Sequence, residues 1–523
     1  MSNVFGHYWY WSGVICLGFL LLVQVSLPRP PFEFTATFFK GATGTRLPWI
    51  LSIAVLSAAL AHAALYLVVP NYADYGEPTV AILASNLRLG GPVYSDWTAG
   101  DALIGSNYGP YVFILQAAAL SISGTILASK MAGVLAAVVA LALFALALRA
   151  LHLRGTTITL LCALLIAFNV FHLHYWFWNR PDPLLMALVA LGAWLHARLA
   201  PERCLIALGL LAGLALNLKL FGAIYLVPLA VGCVIRLGCS WRLTRPLVIG
   251  GMLFALAVIA PFASGAIDVR AYVANLLLIP NQGLQAEVIF TSLALGLAIC
   301  LVPVMAYRRA GATTEDRVEL AALIACTVLI SILSGKPGGG APYLLPVAPL
   351  ALYLAGRACM RTPLAVAAMP MALVAVLACS GPIWAYSFLQ MGRQLPQMAA
   401  VNRLSTDLRA LYEHFPGAEM ALSSATADTE FLRVQKGFAG QVTRFDFVNY
   451  GDQLLAGVPS SVLHPFFEGC RIPHWIMPRG GARMSAVAYD VIPMFDAGTQ
   501  QRFATNYRLA QQNDGFEVWS CER

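Results

Sequence analysis

The stretch PWILSIAVLSAALAHAALYLVVPNYADYGEPTV, residues 48–80, decides how this chain is read. It opens with an uncharged apolar run about as long as the roughly 20 residues a helix needs to cross a hydrocarbon layer. Acids follow at once. Asp74, Glu77, Asp96 and Asp101 all stand between Asn71 and Pro110, although residues 1–387 hold only 12 carboxylates in total. A short segment beside a membrane therefore gathers acid chemistry that the rest of the apolar region avoids.

Composition sets the class. Of 523 residues, 59% are hydrophobic and 11% charged, whereas soluble domains average about 25% charged. That excludes an ordinary soluble domain and implies an all-α polytopic membrane protein. Further apolar runs lie near 8–27, 127–148, 156–178, 183–199, 204–218, 221–237, 246–263, 285–306, 318–334, 343–358 and 363–387. With 48–69 they make about twelve transmembrane helices. The run at 8–27 lacks the basic start and small-residue cleavage pattern of a signal peptide, so it reads as a retained first helix.

Basic residues orient the helices, because short loops rich in Lys and Arg stay inside. The connections at 28–47, 149–155, 198–203, 236–245, 307–317 and 357–361 hold 15 basic residues, and the alternate ones hold six. The Asp74 loop thus faces outward. This count requires 109–124, like 77–89, to be a helix lying along the outer surface. After Tyr386 the composition changes: the last 136 residues carry 25 of the 58 charged side chains. The expected organisation is an extra N-terminal helix and inner loop at 1–47, a transmembrane catalytic module at 48–387 with an external loop at 70–126, and an outward soluble α/β domain at 388–523. In that domain a helical run near 396–414 and an alternating segment Phe516–Trp519 are expected, and Cys470 and Cys521 are either a disulfide or two unrelated thiols.

Three outward segments supply the polar groups: the Asp74 loop, Asn179-Arg180-Pro181-Asp182-Pro183, and Ser334-Gly335-Lys336-Pro337-Gly338-Gly339-Gly340-Ala341-Pro342-Tyr343. Lys219 joins them, one of only five lysines. An ammonium at a membrane edge snorkels to the interface or meets an anion. Beside Lys336, three glycines offer backbone N–H groups that can hold a phosphate. Asp74 and Glu77, three apart at a helix start, can act as general base, hold a divalent cation such as Mg or Mn, or cap the helix. Asp182 has Arg180 as a ready partner. Asp96 and Asp101 read as solvated loop acids, and His172 and His174 as interfacial residues on different sides of a helix. No P-loop, nucleophile elbow or zinc spacing appears, and nothing calls for nucleic acid.

In order, the chain shows an acidic pair after an apolar helix, Gly90-Gly91-Pro92-Val93-Tyr94, Tyr108-Gly109-Pro110-Tyr111, Arg180-Pro181-Asp182-Pro183-Leu184-Leu185, Lys219-Leu220-Phe221-Gly222 and Lys336-Pro337-Gly338-Gly339-Gly340-Ala341-Pro342-Tyr343. Over residues 48–360 this resembles the GT-C superfamily of membrane glycosyltransferases, in the branch of protein O-mannosyltransferases and the lipid A aminoarabinose transferase. The resemblance implies inverting transfer of a sugar from a polyprenyl-phosphate donor to a lipid, glycan or protein acceptor at the outer face of a bacterial inner membrane. It implies Asp74 as base with Glu77 and Asp182 in support, and Arg180, Lys219, Lys336 and Tyr343 toward the donor phosphate. No cofactor is required by this chemistry. The sequence departs from the pattern in two ways: the acids are Asp-Tyr-Gly-Glu rather than adjacent, and one helix precedes the usual first. Two rival expectations are a membrane transporter and a polysaccharide polymerase or ligase. Transporters favour internal repeats and charges near the bilayer midplane, and neither is seen here.

Overall fold

A computed structural model of the chain describes Gly18 and residues 46–98, 100–238, 241–422, 430–489 and 492–522. The expected span at 8–27 lies outside the described residues, Gly18 apart. The helices are, in order, α1 (Arg46–Val68), α2 (Gly76–Arg88), α3 (Pro110–Ile122), α4 (Ile126–Ala150), α5 (Gly155–Asn169), α6 (Pro181–Arg198), α7 (Pro201–Leu216), α8 (Val227–Leu237), α9 (Thr244–Ile259), α10 (Val269–Leu278), α11 (Ala286–Ala310), α12 (Thr314–Leu333), α13 (Val347–Cys359), α14 (Pro363–Gly392), α15 (Met398–His414), α16 (Phe447–Leu455) and α17 (Ala497–Asn506), with shorter turns between them.

Every apolar run read from residue 48 onward is largely helical. Among the described residues, six helical stretches are long and apolar enough to cross a membrane: Arg46–Val68, Ile126–Ala150, Gly155–His172, Trp241–Phe262, Ala286–Ala310 and Pro363–His414. The chain is a multi-pass membrane protein. The remaining runs, α6, α7, α8, α12 and α13, are shorter, less apolar or both. One expected span ends early. Residues 156–178 leave the α-helix at Asn169, make a 3₁₀ turn over Val170–His172 and pass through Leu173 at φ 55°. The sequence there, Val-Phe-His-Leu-His-Tyr-Trp-Phe-Trp, is mostly β-branched and aromatic, which lose χ1 freedom in a helix.

The chain divides into two compact units, one formed by residues 1–66, 133–258 and 284–392, the other by 67–132, 259–283 and 393–523. In the first, α11 packs on α12 and α13, α8 on α12, and α14 on α5. Prolines at the first helical position start α6 and α7, where a missing N–H costs nothing. A Thr313/Asp316 capping box starts α12. Where α7 meets α9, a Cβ on Gly209 would run into the backbone of Gly250, the close approach that small residues permit between membrane helices. His62 Nε2 lies 2.9 Å from Ser387 Oγ, and Trp384 Nε1 donates to His62 Nδ1 at 3.2 Å, so buried polar contacts join α1 to α14.

Three of the basic residues read as inward, Arg236, Arg357 and Arg361, pair with acids of α12. Arg357 meets Glu319, lies 3.2 Å from Glu315 and 3.3 Å from Asp316, and Arg236 lies 3.2 Å from Glu315. Arg361 binds Asp316, and His196 Nδ1 lies 2.9 Å from the Tyr353 hydroxyl. These contacts fasten the ends of α6, α8, α12 and α13 to one another.

The second unit is α2, α3 and α10 with the C-terminal region. Its sheet has the order β1 (Glu419–Met420), β2 (His474–Pro478), β6 (Phe516–Cys521), β5 (Tyr507–Gln512), and a separate pair joins β3 (Val487–Ala488) to β4 (Ile492–Pro493). β1 runs parallel to β2, while β2, β6 and β5 are antiparallel neighbours. Phe467 stacks on Trp475 at 5.2 Å in the core beneath this sheet. The helix near 396–414 and the strand at 516–519 stand where the sequence placed them. Cys470 and Cys521 are joined as a disulfide, their Cα atoms 6.0 Å apart.

The structure changes the reading of α2. An outer-surface helix would keep one face in water, yet α2 is buried all round from Gly76 to Asn86. It packs against α3 and against the turns at Glu430–Val434 and Gln435–Phe438. Its polar residues are consumed by the C-terminal region: Asn86 Nδ2 donates to the Thr443 carbonyl at 2.8 Å, and Thr443 N–H donates back to Asn86 Oδ1 at 2.9 Å. Leu103 N–H donates to Arg444 O at 2.7 Å and Asp446 N–H to Leu103 O at 3.0 Å. The expected external loop is thus woven into the C-terminal fold.

Candidate functional site

The acid turn belongs to the second unit. Between α1 and α2 the chain turns over Asn71–Tyr75, and α2 begins at Gly76. Glu77 Oε2 accepts from Ala73 N–H at 2.8 Å and Asp74 N–H at 3.1 Å, while Asp74 Oδ1 accepts from Gly76 N–H at 2.8 Å. Glu77 therefore binds the backbone before it, as the acid of a capping box does, and Asp74 closes an Asx turn. Asp74 keeps 9% exposure and Glu77 none. Of the two, only Asp74 keeps any exposure, and Glu77 holds the turn that precedes α2.

Two cations the sequence reading passed over support this turn. Lys130, fully buried, donates to the Val69 carbonyl at 2.8 Å and lies close enough to Glu77 for their charges to interact. Arg433 donates to the Tyr75 carbonyl at 2.8 Å and to Thr79 Oγ1 at 2.7 Å, and its Nε lies 3.1 Å from Asp446. Asp446 in turn caps α16 by accepting from Asn449 N–H. Lys130 had a signal in the sequence, as one of five lysines and the only charge in α4 before Arg149. Arg433 had none. The remaining loop acids are peripheral: Asp96 accepts from Thr98, whose N–H and hydroxyl hold its carboxyl below the usual range, and Asp101 lies exposed 3.6 Å from Arg471.

The second cluster belongs to the first unit. Asp182 sits in the first turn of α6, where a carboxylate is favoured by the helix N-terminus. Lys219 Nζ lies 2.5 Å from Asp182 Oδ1, with both side chains buried. Arg180, read as a ready partner for Asp182, has its guanidinium carbon 3.9 Å from the centre of the Trp178 ring. Lys219 does not snorkel. Its ammonium lies 3.7 Å from the centre of the Tyr343 ring, and the Tyr225 hydroxyl donates to the Tyr343 carbonyl at 2.6 Å. Burial pushes Lys219 down to about 8; Asp182 opposes this, and the charges of Arg180 and Lys336 add to it. Arg180 and Lys336 thus stand close enough to Lys219 for their charges to act on it.

The glycine turn after Lys336 differs from expectation. Gly338 and Gly340 have φ 72° and 112°, which favours glycine. Yet Gly339 N–H donates to Lys336 O and Gly340 N–H to Ser334 O, both at 2.8 Å. Those two amides close the turn on itself and are spent there, so Lys336 contributes charge rather than a ring of amide donors.

Asp74 and Glu77 were also read as able to hold Mg or Mn. Among the described residues no group of three or more His, Cys, Asp or Glu side chains is arranged to hold a metal ion. Glu77 Oε2 and Asp74 Oδ1 face backbone amides, so the pair does not fit a divalent cation in this geometry, and no step is assigned to one.

No protein-family signature matches the chain, and no curated protein matches it by sequence. Its fold does match solved structures. ArnT from Cupriavidus metallidurans bound to undecaprenyl phosphate superposes with a TM-score of 0.57 at 13% identity, covering 92% of this chain and 98% of that one. The same protein in the apo state gives 0.54 at 13% identity, covering 90% and 97%. The chain has an ArnT-like fold along nearly its whole length, as the resemblance to the GT-C superfamily implied.

Proposed function

We propose that this chain is an inverting glycosyltransferase of the GT-C type, which moves a sugar from a polyprenyl-phosphate donor to a lipid, glycan or protein acceptor at the outer face of the bacterial inner membrane. The observation that carries the reading is the gathering of three cations: Lys219, buried in a pair with Asp182, lies close enough to Arg180 and Lys336 for both charges to act on it. Three neighbouring cations make a positive local field that attracts an anion. A lipid-linked phosphate has the charge and the location to be that anion. The fold supports the same reading, since the solved neighbour carries undecaprenyl phosphate.

The chemistry follows from the residues. The acceptor hydroxyl or amine attacks the anomeric carbon, and its proton passes to the Asp74 carboxylate. The bond from that carbon to the phosphate oxygen breaks, and both electrons leave with the phosphate. Arg180, Lys219 and Lys336 neutralise the departing anion, a good leaving group that needs no general acid. Asp182 holds the Lys219 ammonium in place, and Tyr343 lines it with a ring face. Glu77 fixes the turn that presents Asp74.

The test is release of free undecaprenyl phosphate from a panel of undecaprenyl-phosphate sugars in native membrane lipids, comparing wild type with Asp74→Asn. Turnover that depends on Asp74 supports the proposal. A folded wild type that turns over no donor shifts the reading to a transporter or an assembly protein.

A further inference from the structure

Between α5 and α6 the chain runs from Val170 to Arg180 without α-helix, among apolar helices of the first unit. Four side chains in and just after this segment are more than nine-tenths buried and keep polar atoms with no hydrogen-bond partner among the described residues. They are His172 at both ring nitrogens, Trp176 and Trp178 at their indole N–H, and Asp182 at Oδ2. A buried polar atom left without a hydrogen bond is destabilising, so a concentration of them in one short segment is unfavourable in a purely structural role. Phenylalanine or leucine would pack the same space without that cost. The 3₁₀ turn that carries His172 packs on the Ala341–Leu344 turn that carries Tyr343, and Asp182 binds Lys219. The unpartnered groups therefore adjoin the positive cluster.

The chemistry of the segment is that of carbohydrate recognition. Imidazole nitrogens and indole N–H groups suit the hydroxyls of a sugar ring. We propose that His172 and Trp178 form the subsite for the sugar of the lipid-linked donor and help determine which sugar is accepted. This rests on the polyprenyl-phosphate reading above and deepens it. Discrimination arises because a donor bearing the matching hydroxyls satisfies the buried nitrogens, whereas one lacking them leaves them unmade.

The experiment uses the full chain in lipid nanodiscs and measures dissociation constants for bare undecaprenyl phosphate and for undecaprenyl phosphate carrying mannose, glucose or 4-aminoarabinose. Wild type is expected to bind at least one sugar-bearing lipid about tenfold more tightly than the bare lipid, the order of one well-made hydrogen bond. His172→Phe and Trp178→Phe should each reduce that ratio toward one. His172→Phe should unfold no earlier than wild type, since it removes an unpartnered polar group. Variants that keep the wild-type ratio, or a wild type that does not distinguish any sugar-bearing lipid from the bare one, overturn the subsite alone. A folded wild type that binds neither form overturns the donor reading and the subsite with it.

Discussion

Lys219 Nζ stands 2.5 Å from Asp182 Oδ1 with both side chains withdrawn from solvent. Removing one member of such a pair strands the other, at a cost of about 3–5 kcal/mol, whereas replacing both by apolar residues is often near neutral. Lys219→Met and Asp182→Leu should each unfold early in detergent, and the double variant should recover most of the loss. The double variant should still bind a polyprenyl phosphate poorly. Thermal unfolding and donor KM, measured side by side, separate the two effects.

The same pair sets a pH dependence. Burial brings Lys219 to about 8, against the ordinary lysine value of 10.5, so the ammonium is present below about 8 and lost above it. Affinity for a lipid phosphate should fall as pH rises from 7 to 9. Stability should move the other way. With the folded value below the unfolded one, the unfolded chain binds more protons between about 8 and 10.5, so the cost of burying the charge is fully present below 8 and lifts across that window. Lys219→Arg, which stays protonated, should flatten the affinity profile.

In the acid turn, Asp74→Asn should lower turnover by about 10²–10⁴, the range for loss of a general base. Glu77→Gln keeps a side-chain oxygen to accept from Ala73 and Asp74 and should lose far less. Glu77→Ala releases the turn, and a misplaced base costs on the order of 10²-fold. Equal losses in Glu77→Gln and Asp74→Asn would make Glu77 a chemical participant instead of a turn-setting one. Single-turnover rates at saturating donor make the comparison.

Apolar run length and scarce charge were enough to read the helices, because a bilayer tolerates little else over such spans. α2 at Gly76–Arg88 and α3 at Pro110–Ile122 were also legible to within a residue or two, from Gly and Pro punctuation. What each helix touches was not legible. The sequence around Asn86 gives no sign that its amide pairs with Thr443, more than 350 residues away, and nothing local marks Arg433 as the donor to the Tyr75 carbonyl. Asp182 was singled out beside Arg180, its neighbour in sequence, and nothing local marks Lys219, on a different helix connection, as a cation that binds it. Partners distant along the chain leave no trace in periodicity.

The disulfide offers a check on the second unit. Cys470 and Cys521 close a loop with a sequence separation of 51, and such a bond stabilises by about 2–4 kcal/mol. Cys470→Ser with Cys521→Ser, or reduction of wild type, should lower the unfolding temperature of that unit. Helices of the first unit, where Cys162, Cys204, Cys233, Cys300, Cys326 and Cys359 are thiols, should melt unchanged, as circular dichroism with and without reductant will report.

The weaving of α2 into the C-terminal region also bears on what truncation does. If residues 388–523 were a detachable acceptor-reading domain, deleting them would alter acceptor use and spare donor hydrolysis. But α2 is buried on all sides within its unit, and Arg433 and Thr443 supply hydrogen bonds to Tyr75, Thr79 and Asn86. Deletion would strip those partners and expose the apolar face of α2, Val80, Ile82 and Leu83 among it. The truncated chain should therefore lose donor hydrolysis and acceptor transfer together and bind hydrophobic dyes. Arg433→Ala should do the same in milder form: it removes the donor to the Tyr75 carbonyl beside Asp74 and leaves Asp446 without its cation, at a cost of about 3 kcal/mol. A truncated protein that stays folded and still hydrolyses donor would show that the Asp74 turn holds its shape without the C-terminal region.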